Sequence, residues 1–208
     1  MARRNALAFA TALALALPLL DARSVLRQPV RVSMCARDLS GASVGAALVD
    51  VEGAAAAGAD IRPSPGKGMG AFAARARGAG ELVGDYVGEI MSAREKDARY
   101  LGLGEVAEAD RAWIESRRQR GVTVSGAYIL GVGGDIFVDA EDPQHSNWCR
   151  YLNHDNAPNI ALKTLPRGLG GKPRAWFVTL RAVQAGEELV FDYGDDYWHD
   201  SAPGSSPV

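Results

Sequence analysis

The chain has 208 residues, of which 47% are hydrophobic and 23% charged, a globular composition with room for one ordinary domain and flanking segments. A net charge of −2 and a pI near 5.9 exclude a broad cationic surface, so we expect no direct nucleic-acid binding. The basic cluster Arg117-Arg118-Gln119-Arg120 is interpreted as a solvated helix end rather than a binding patch. Cys35 and Cys149 are too few for a disulfide framework or a cysteine-rich zinc site.

Residues 1–60 are predicted to form a poorly ordered presequence and linker. Arg3-Arg4 precede the apolar run Ala6 to Leu20, which has the order of a signal peptide and is short for a membrane span. Residues 22–45 are basic and nearly free of acids, a composition that resembles a transit peptide. The combination predicts import into a plastid derived by secondary endosymbiosis. An uncleaved membrane anchor, and translation starting at Met34 without targeting, remain open as alternatives.

A glycine-rich segment opens the predicted domain, which begins near residue 61. Upstream of it, Ala54 to Ala59 is interpreted as linker. Gly66 to Gly70 alternates glycine with lysine and methionine, which predicts a tight turn that leads into a short strand. No strand is expected before this loop and no helix directly after it, so the segment is not a dinucleotide-binding fingerprint. The next strand is predicted from Leu82 to Ile90.

Two helices are predicted in the middle of the chain. The segment Ser92 to Glu95 has the spacing of a capping box, which predicts a helix start at Ser92. Gly102 and Gly104 interrupt this helix. A second helix is expected from Glu105 to Arg120, and Gly121 is its predicted C-terminal stop.

The remainder of the chain is predicted to form short strands. A hairpin is expected between Tyr128–Val132 and Ile136–Val138, around a Gly-Gly turn. A second pair of strands, 160–165 and 175–180, flanks another glycine-rich turn, and the final strand covers 189–191. The predicted fold class is therefore mostly β, with small sheets around one helical insert.

Two polar motifs near the C-terminus are poorly explained by core packing. The first, Arg150 to Asn159, reads RYLNHDNAPN, and its proline prevents a regular helix. The second, Gly186 to Tyr193, reads GEELVFDY. Together they resemble the C-terminal motifs of the SET-domain lysine methyltransferases, RFINHSCxPN and GEELxxDY. The glycine loop and the segment Tyr86-Val87-Gly88-Glu89 resemble two further elements of that family, in the expected order.

The resemblance covers about residues 62–198 and implies the SET-domain fold. That fold has small curved sheets and a pseudoknot-like C-terminal crossing, in which Arg150 and Asn159 are expected to be partly structural. The predicted domain spans 61–198, residues 92–126 form its variable helical insert, and 199–208 are predicted to be a disordered tail.

The resemblance implies that S-adenosylmethionine is the cofactor. Its methionine part is expected along the backbone of the glycine loop. Asn153 and His154 correspond to residues that contact the adenine and the amino-acid part, largely through backbone groups and the asparagine amide. The residues implied in cofactor binding are Lys67, Gly68, Met69, Gly70, Arg150, Asn153, His154 and Tyr193.

Two tyrosines are implied in catalysis. Tyr193 corresponds to the residue at which the lysine amine meets the methyl-sulfonium, and Tyr128 to one that points at the transferred methyl. The transfer needs a neutral amine, but a free lysine has a pKa of about 10.4. A narrow aromatic channel lowers that pKa by desolvation and aligns the attack, so both tyrosines are expected to orient the amine rather than act as strong bases. Ordinary packing remains the alternative for each.

The predicted lysine channel contains Tyr86, Phe191 and Trp198. A tyrosine at the position of Phe191 holds a water that blocks further methylation in the family, so phenylalanine implies a dimethyl or trimethyl product. Trp198 belongs to a possible lid, residues 195–198, and either stacks on adenine or packs. Asp155-Asn156 replace the Ser-Cys of many family members, and a downstream Cys-x-Cys cluster is lacking, so we expect no bound metal.

The predicted function is transfer of methyl groups to a lysine of a protein substrate, histone or non-histone. A catalytically weak SET fold that binds protein is the alternative, favoured by Asp155-Asn156 and the missing lid. A membrane-tethered structural protein is a third possibility, in which the apolar run is retained and contacts the membrane. The N-terminus favours an organelle, whereas the family's usual histone substrates favour the nucleus.

Overall fold

The described part of the chain begins with a short helix and a hairpin. The structure is a computed structural model that describes residues 48–194, except for the side chain of Leu169. Helix α1 covers Val51–Ala56, strand β1 Ala59–Ser64 and strand β2 Gly68–Ala73. The linker interpretation of Ala54 to Ala59 is wrong, because alanine favours helix and its small side chain fits a tight core. Residues 1–47 of the predicted presequence and linker, and the predicted tail, 199–208, lie outside the described residues.

Four small sheets make up the β structure of residues 48–194. The first is the antiparallel hairpin of β1 and β2. The second has the order β3-β9-β8 and the third the order β4-β6-β5, and both are antiparallel. In the fourth, β7 pairs with β10 in parallel. The prediction of a mostly β fold is confirmed. The strands are β3 Leu82–Asp85, β4 Glu89–Ser92, β5 Ile129–Gly133, β6 Ile136–Asp139, β7 Asn153–His154, β8 Ile160–Leu165, β9 Arg174–Thr179 and β10 Val190–Phe191.

The strand predicted from Leu82 to Ile90 is divided between two sheets. Its first half, β3, pairs with β9, and its second half, β4, pairs with β6. Gly88 lies between them against the main chain of β6, where an added Cβ would be 2.4 Å from the carbonyl oxygen of Asp139. The chain therefore changes sheets at a point where only glycine fits, which a local hydrophobic pattern does not reveal.

The helical insert begins as predicted. Ser92 caps helix α2, Ala93–Lys96, in a capping box with Glu95, and the helix continues as a π-helical turn that ends at Gly102. Helix α3 covers Glu108–Gln119, so it starts three residues later than expected. Gly121, with φ of 69°, follows its C-cap as predicted.

The predicted hairpins also form. Strands β5 and β6 are joined through Gly134 and Asp135, whose φ values of 59° and 60° give the twist that a tight hairpin requires. Strands β8 and β9 pair from Ile160 opposite Thr179 to Leu165 opposite Arg174.

The C-terminal segment crosses between β2 and β7. Leu189 N–H donates to the carbonyl of Ala71 at 2.8 Å, and Ala73 N–H donates to that of Glu187 at 2.8 Å. On the other side, β10 pairs with β7 in parallel. Ala71 and Ala73 are fully buried, and their small side chains permit this close approach. The crossing implied by the sequence is therefore present.

A buried ion network joins the helical insert to β4 and β6. The Arg117 guanidinium donates to Asp139 at 2.6 Å and to Glu89 at 3.0 Å, while the Tyr100 hydroxyl donates to Asp139 at 2.5 Å. The side chain of Arg117 is only 1% exposed. The interpretation of its cluster as solvated is wrong for this residue, although Arg118 is exposed.

We expect Arg117→Met to lower the free energy of unfolding by about 3–5 kcal/mol, because it leaves Asp139 buried without its counter-charge. Arg118→Met is the matched control, with an expected change within about 0.5 kcal/mol. Urea denaturation measures both. Adding Asp139→Asn to Arg117→Met should restore part of the loss, and equal effects of the two arginine substitutions would contradict this account.

Candidate active site

The glycine loop is the turn of the β1–β2 hairpin. The expectation that no strand precedes it is wrong, because β1 does, although no helix follows. Gly66 and Gly68 have φ values of 74° and 79°, which favour glycine. Gly70 lies deeper, where an added Cβ would be 2.5 Å from Glu188 Oε1 and 3.0 Å from Asn153 Nδ2. The loop thus packs directly against both C-terminal motifs.

Asn153 joins the three motifs. Its Nδ2 donates to the carbonyl of Met69 at 3.2 Å and to Glu188 Oε1 at 2.8 Å. An amide nitrogen has two hydrogens, so both are used within the protein. Any side-chain contact that this residue makes with a cofactor must therefore use Oδ1, which accepts and does not donate.

His154 is oriented by hydrogen bonds to both ring nitrogens. Tyr193 N–H donates to its Nδ1 at 3.1 Å, and its Nε2 lies 3.1 Å from Asn156 Oδ1. An Nδ1 that accepts requires the proton on Nε2, which then donates to Asn156. This pattern fixes one tautomer and ties the histidine to the segment that carries Tyr193.

Lys67 spans the gap from the glycine loop to the Asn-His motif. Its Nζ donates to the carbonyl of His154 at 2.8 Å and lies 3.4 Å from Asp155 Oδ2. The N–H of Ala157, first, and then Lys67 lower the pKa of the Asp155 carboxyl. The departure from the family at Asp155-Asn156 therefore supplies polar contacts of its own, one to Lys67 and one to His154.

Tyr193 is held at both its main chain and its hydroxyl. The side chain is buried, and its hydroxyl donates to the carbonyl of Leu152 at 3.0 Å. Its ring centroid is 4.7 Å from that of Phe191 and 5.3 Å from that of His154. The tyrosine is therefore positioned from three sides.

A continuous line of rings leads from Tyr193 to Tyr86. Phe191 lies 4.8 Å from Phe177, and Phe177 lies 6.3 Å from Tyr86, measured between centroids. We call Tyr86, Phe177, Phe191 and Tyr193 the aromatic chain. Phe177 is fully buried at its centre, and it is a residue that sequence reasoning missed because its strand gave only an apolar pattern.

Tyr86 and Tyr128 are joined to each other. The Tyr86 hydroxyl donates to the main-chain carbonyl of Tyr128 at 2.9 Å. Burial, and then the neighbouring Tyr193, raise the pKa of Tyr86 well above its ordinary value. The Tyr86 hydroxyl therefore stays protonated at neutral pH.

Arg150 lies under Tyr128. Its guanidinium carbon is 4.0 Å from the Tyr128 ring centroid, a cation–π contact, and its Nη1 donates to the carbonyl of Glu141 and to Ser146. Arg150 thus supports Tyr128, which is one of the two predicted catalytic tyrosines. The predicted contact of Arg150 with a cofactor stays a prediction.

Two polar residues that sequence reasoning missed hold the tyrosine-bearing loops. The buried Glu141 carboxylate accepts N–H groups from Ser125 and Gly126, just before Tyr128. The Asn147 side chain donates to the carbonyl of Asp85 at 2.9 Å and accepts from Val87 N–H at 3.4 Å, so it brackets Tyr86. Neither position carries a local signal, because the partners are remote in sequence.

Among residues 48–194, the structure places the predicted site residues on the glycine loop, the two C-terminal motifs and the aromatic residues that adjoin them. Trp198 and the possible lid, 195–198, lie outside the described residues. Within residues 48–194 there is no group of three or more His, Cys, Asp or Glu side chains that could hold a metal ion, and the expectation of no bound metal stays a prediction. Across that same range, none of the helices is long and apolar enough to span a membrane.

Comparison with known proteins identifies the family. A family model of the SET domain matches residues 68–194, so the chain belongs to the SET-domain family, as the motifs predicted. It is 32% identical over 130 residues to histone-lysine N-methyltransferase EZH2 of Chaetomium thermophilum, covering 62% of this chain and 8% of that protein. The same identity and coverage hold for an H3 lysine-4-specific histone-lysine N-methyltransferase of Mycosarcoma maydis. The chain thus spans less than a tenth of these curated relatives.

Among solved structures, the chain is similar to a polycomb repressive complex 2 in an autoinhibited conformation bound to S-adenosylmethionine. The identity is 28% and the TM-score 0.46, over 65% of this chain and 15% of that one.

We expect Gly70→Ala to destabilise the protein by about 1–3 kcal/mol, because the new methyl group must displace Glu188 and Asn153. The matched control is Gly78→Ala, where an added Cβ meets nothing within 4 Å and should change stability by no more than about 0.5 kcal/mol. Urea denaturation compares the two. A Gly70→Ala variant as stable as the control would show that the three motifs do not meet this closely.

Proposed function

We propose that this protein transfers methyl groups from S-adenosylmethionine to the ε-amine of lysine in a protein substrate. The observation that carries the proposal is the meeting of the glycine loop with both C-terminal motifs at Asn153. Tyr193 contacts the adjacent His154, and the aromatic chain leads from Tyr193 to Tyr86, whose hydroxyl binds the carbonyl of Tyr128. The family membership and the names of the curated relatives support the same activity.

The residues at this junction fit the proposed cofactor. An added Cβ at Gly66 or Gly68 would meet nothing within 4 Å, so the turn of the glycine loop leaves main chain that a cofactor can approach, and the Lys67 ammonium at the carbonyl of His154 is a partner for a carboxylate. His154 offers main-chain groups to a base such as adenine, and Asn153 offers an acceptor. When bound, the cofactor would supply a methyl group on a positively charged sulfur.

The tyrosine hydroxyls are arranged to accept hydrogen bonds. The hydrogen of Tyr193 is donated to the carbonyl of Leu152, and that of Tyr86 to the carbonyl of Tyr128. With these hydrogens donated, each hydroxyl can bind the N–H groups of a lysine amine only as an acceptor. Two such acceptors orient the remaining lone pair of the lysine nitrogen along one direction, which is what an in-line displacement needs.

Proton removal is not a task for these tyrosines. Because the pKa of Tyr86 is raised, its hydroxyl stays neutral and does not act as a base. The aromatic surroundings disfavour the charged ammonium, so the lysine loses its proton to water before the transfer. The protein therefore contributes desolvation of the lysine and alignment of its amine.

The side chain at position 191 supports a product beyond the monomethyl state. Phe191 is buried between Phe177 and Tyr193 and carries no hydroxyl that could bind a water beside the amine. We therefore propose dimethyl-lysine or trimethyl-lysine as the final product.

The substrate is proposed only as a class, a protein that presents a lysine, histone or non-histone. An organellar location rests on the apolar run and the basic stretch of the N-terminus, with the nucleus as the alternative, and membrane contact applies only if the apolar run is retained.

One observation favours the alternative, a catalytically weak SET fold that binds protein. Lys67 Nζ lies on the carbonyl of His154, a main-chain group that the resemblance assigns to the cofactor. If this contact persists, it competes with the cofactor. Turnover separates the two functions, because a binding module transfers no methyl groups.

We expect Tyr193→Phe to reduce methyl transfer on the order of 10²-fold, because loss of the hydroxyl removes an acceptor that aligns the amine. The measurement is transfer from labelled S-adenosylmethionine by the full chain to histones and to a total protein extract, with mass spectrometry to locate the methyl groups. Thr164→Val, which removes a hydroxyl from β8, is the control and should retain activity. Undiminished labelling by Tyr193→Phe would contradict the proposed role.

We expect Phe191→Tyr to shift the product toward monomethyl-lysine, since the added hydroxyl can hold a water where further methyl groups must fit. Mass spectrometry of the product under excess cofactor gives the distribution. Phe72→Tyr adds the same hydroxyl to a half-buried ring of β2 and serves as control. Only monomethyl-lysine from the unmodified protein would contradict the proposed product.

A further inference from the structure

We propose that residues 48–57, which precede the SET-domain match, position Tyr86 and Tyr193, and that Asp50 is the positioning residue. The consequence for catalysis rests on the proposed function, whereas the positioning itself rests on the contacts of this segment with the short 3-10 turn Trp148–Tyr151.

Asp50 makes two contacts with one carboxylate. Its Oδ1 accepts the N–H of Gly53 at 3.2 Å and so starts α1, and its Oδ2 accepts the N–H of Trp148 at 3.3 Å. The residue has φ 54° and ψ 44°, a left-handed conformation that is uncommon outside glycine and best tolerated by Asp and Asn. The backbone thus adopts an unfavourable conformation that aims this side chain at the turn.

The segment also holds the other end of the turn. Val49 N–H donates to the hydroxyl of Tyr151 at 2.9 Å, so the first and last residues of the turn are both bound. Ala54 of α1 is buried in the same core cluster as Trp148 and Cys149. Docking of residues 48–57 therefore combines apolar packing with two directional contacts.

The turn leads to both tyrosines of the aromatic chain. Directly after it, the carbonyl of Leu152 accepts the hydroxyl of Tyr193 at 3.0 Å. Directly before it, Asn147 brackets Tyr86 through the main chain of Asp85 and Val87. A shift of the turn therefore displaces the groups that hold the hydroxyls of Tyr193 and Tyr86. A displacement of about 1 Å in a group that aligns the substrate can reduce the rate of methyl transfer on the order of 10²-fold.

Gly53 offers an independent way to disturb the contact. An added Cβ at this position would lie 2.3 Å from Asp50 Oδ1, so Gly53→Ala must push the carboxylate aside while residue 50 remains aspartate. This variant keeps the test available if Asp50→Ala does not fold.

The experiment uses the full chain and two readouts. Hydrogen exchange reports the amides of residues 148–154 and of Tyr193, and steady-state methyl transfer to histones gives kcat and the KM for S-adenosylmethionine. The variants are Asp50→Ala, Gly53→Ala and Asp50→Asn, and the matched control is Glu52→Ala, which removes a carboxylate from the first turn of α1.

We expect Asp50→Ala and Gly53→Ala to speed exchange at residues 148–154 by at least about tenfold and to lower kcat by at least about tenfold, at temperatures well below unfolding. Asp50→Asn, which keeps one acceptor oxygen, should fall between these variants and the unmodified protein. Glu52→Ala should change each quantity by less than about twofold.

Two results would overturn the proposal. One is a lower melting temperature of Asp50→Ala with unchanged kcat and unchanged exchange at 148–154, which would show that the segment only adds stability. The other is faster exchange confined to residues 48–57. If the unmodified protein transfers methyl groups neither to histones nor to a total protein extract, the proposed function fails on its own, and the exchange data still decide whether the segment positions the turn.

Discussion

Two asparagine side chains hold the C-terminal crossing on which the whole site depends. The parallel ladder of β7 with β10 has only two residue pairs, too few to fix its register through the backbone alone. Asn159, which is buried, donates to the carbonyl of Glu188 at 2.7 Å and accepts from Val190 N–H at 2.9 Å. Asn153 binds Glu188 from the other side. Tyr193 follows immediately, so these amides set where its ring lies.

The hydroxyls of the site are oriented by main-chain carbonyls rather than by charged side chains. In the proposed function both oxygens act as acceptors toward the lysine amine. The raised pKa of Tyr86 keeps that hydroxyl protonated. Charged residues support the site indirectly. The Arg150 guanidinium packs on the ring of Tyr128, and the Glu141 carboxylate binds the loop that precedes Tyr128. These contacts support the role proposed for the site, which is to align a neutral nucleophile without a strong base.

Features of the fold that depend on residues close in sequence were predictable. The capping box at Ser92 and the β5–β6 hairpin depend on neighbours in sequence. The capping box forms at the predicted residue, and the hairpin forms with its turn at Gly134 and Asp135, one residue later than the predicted Gly133-Gly134. Long-range contacts were not predictable: the Asp50 carboxylate reaches Trp148, ninety-eight positions away, and neither residue carries a sign of the other. The division between β3 and β4 likewise depends on the approach of β6 to Gly88. The motifs located the site, but the side chains that support it became visible only in the folded chain.

The pH dependence of the single-turnover rate, measured with labelled S-adenosylmethionine and histones, tests the central claim most directly. If the aromatic chain desolvates the lysine, the rate should rise with pH and level off at an apparent pKa well below the value of about 10.4 for a free lysine. A rate that continues to rise up to about that pH would show that the bound lysine keeps the pKa of a free lysine in water, and that the aromatic chain does not desolvate it.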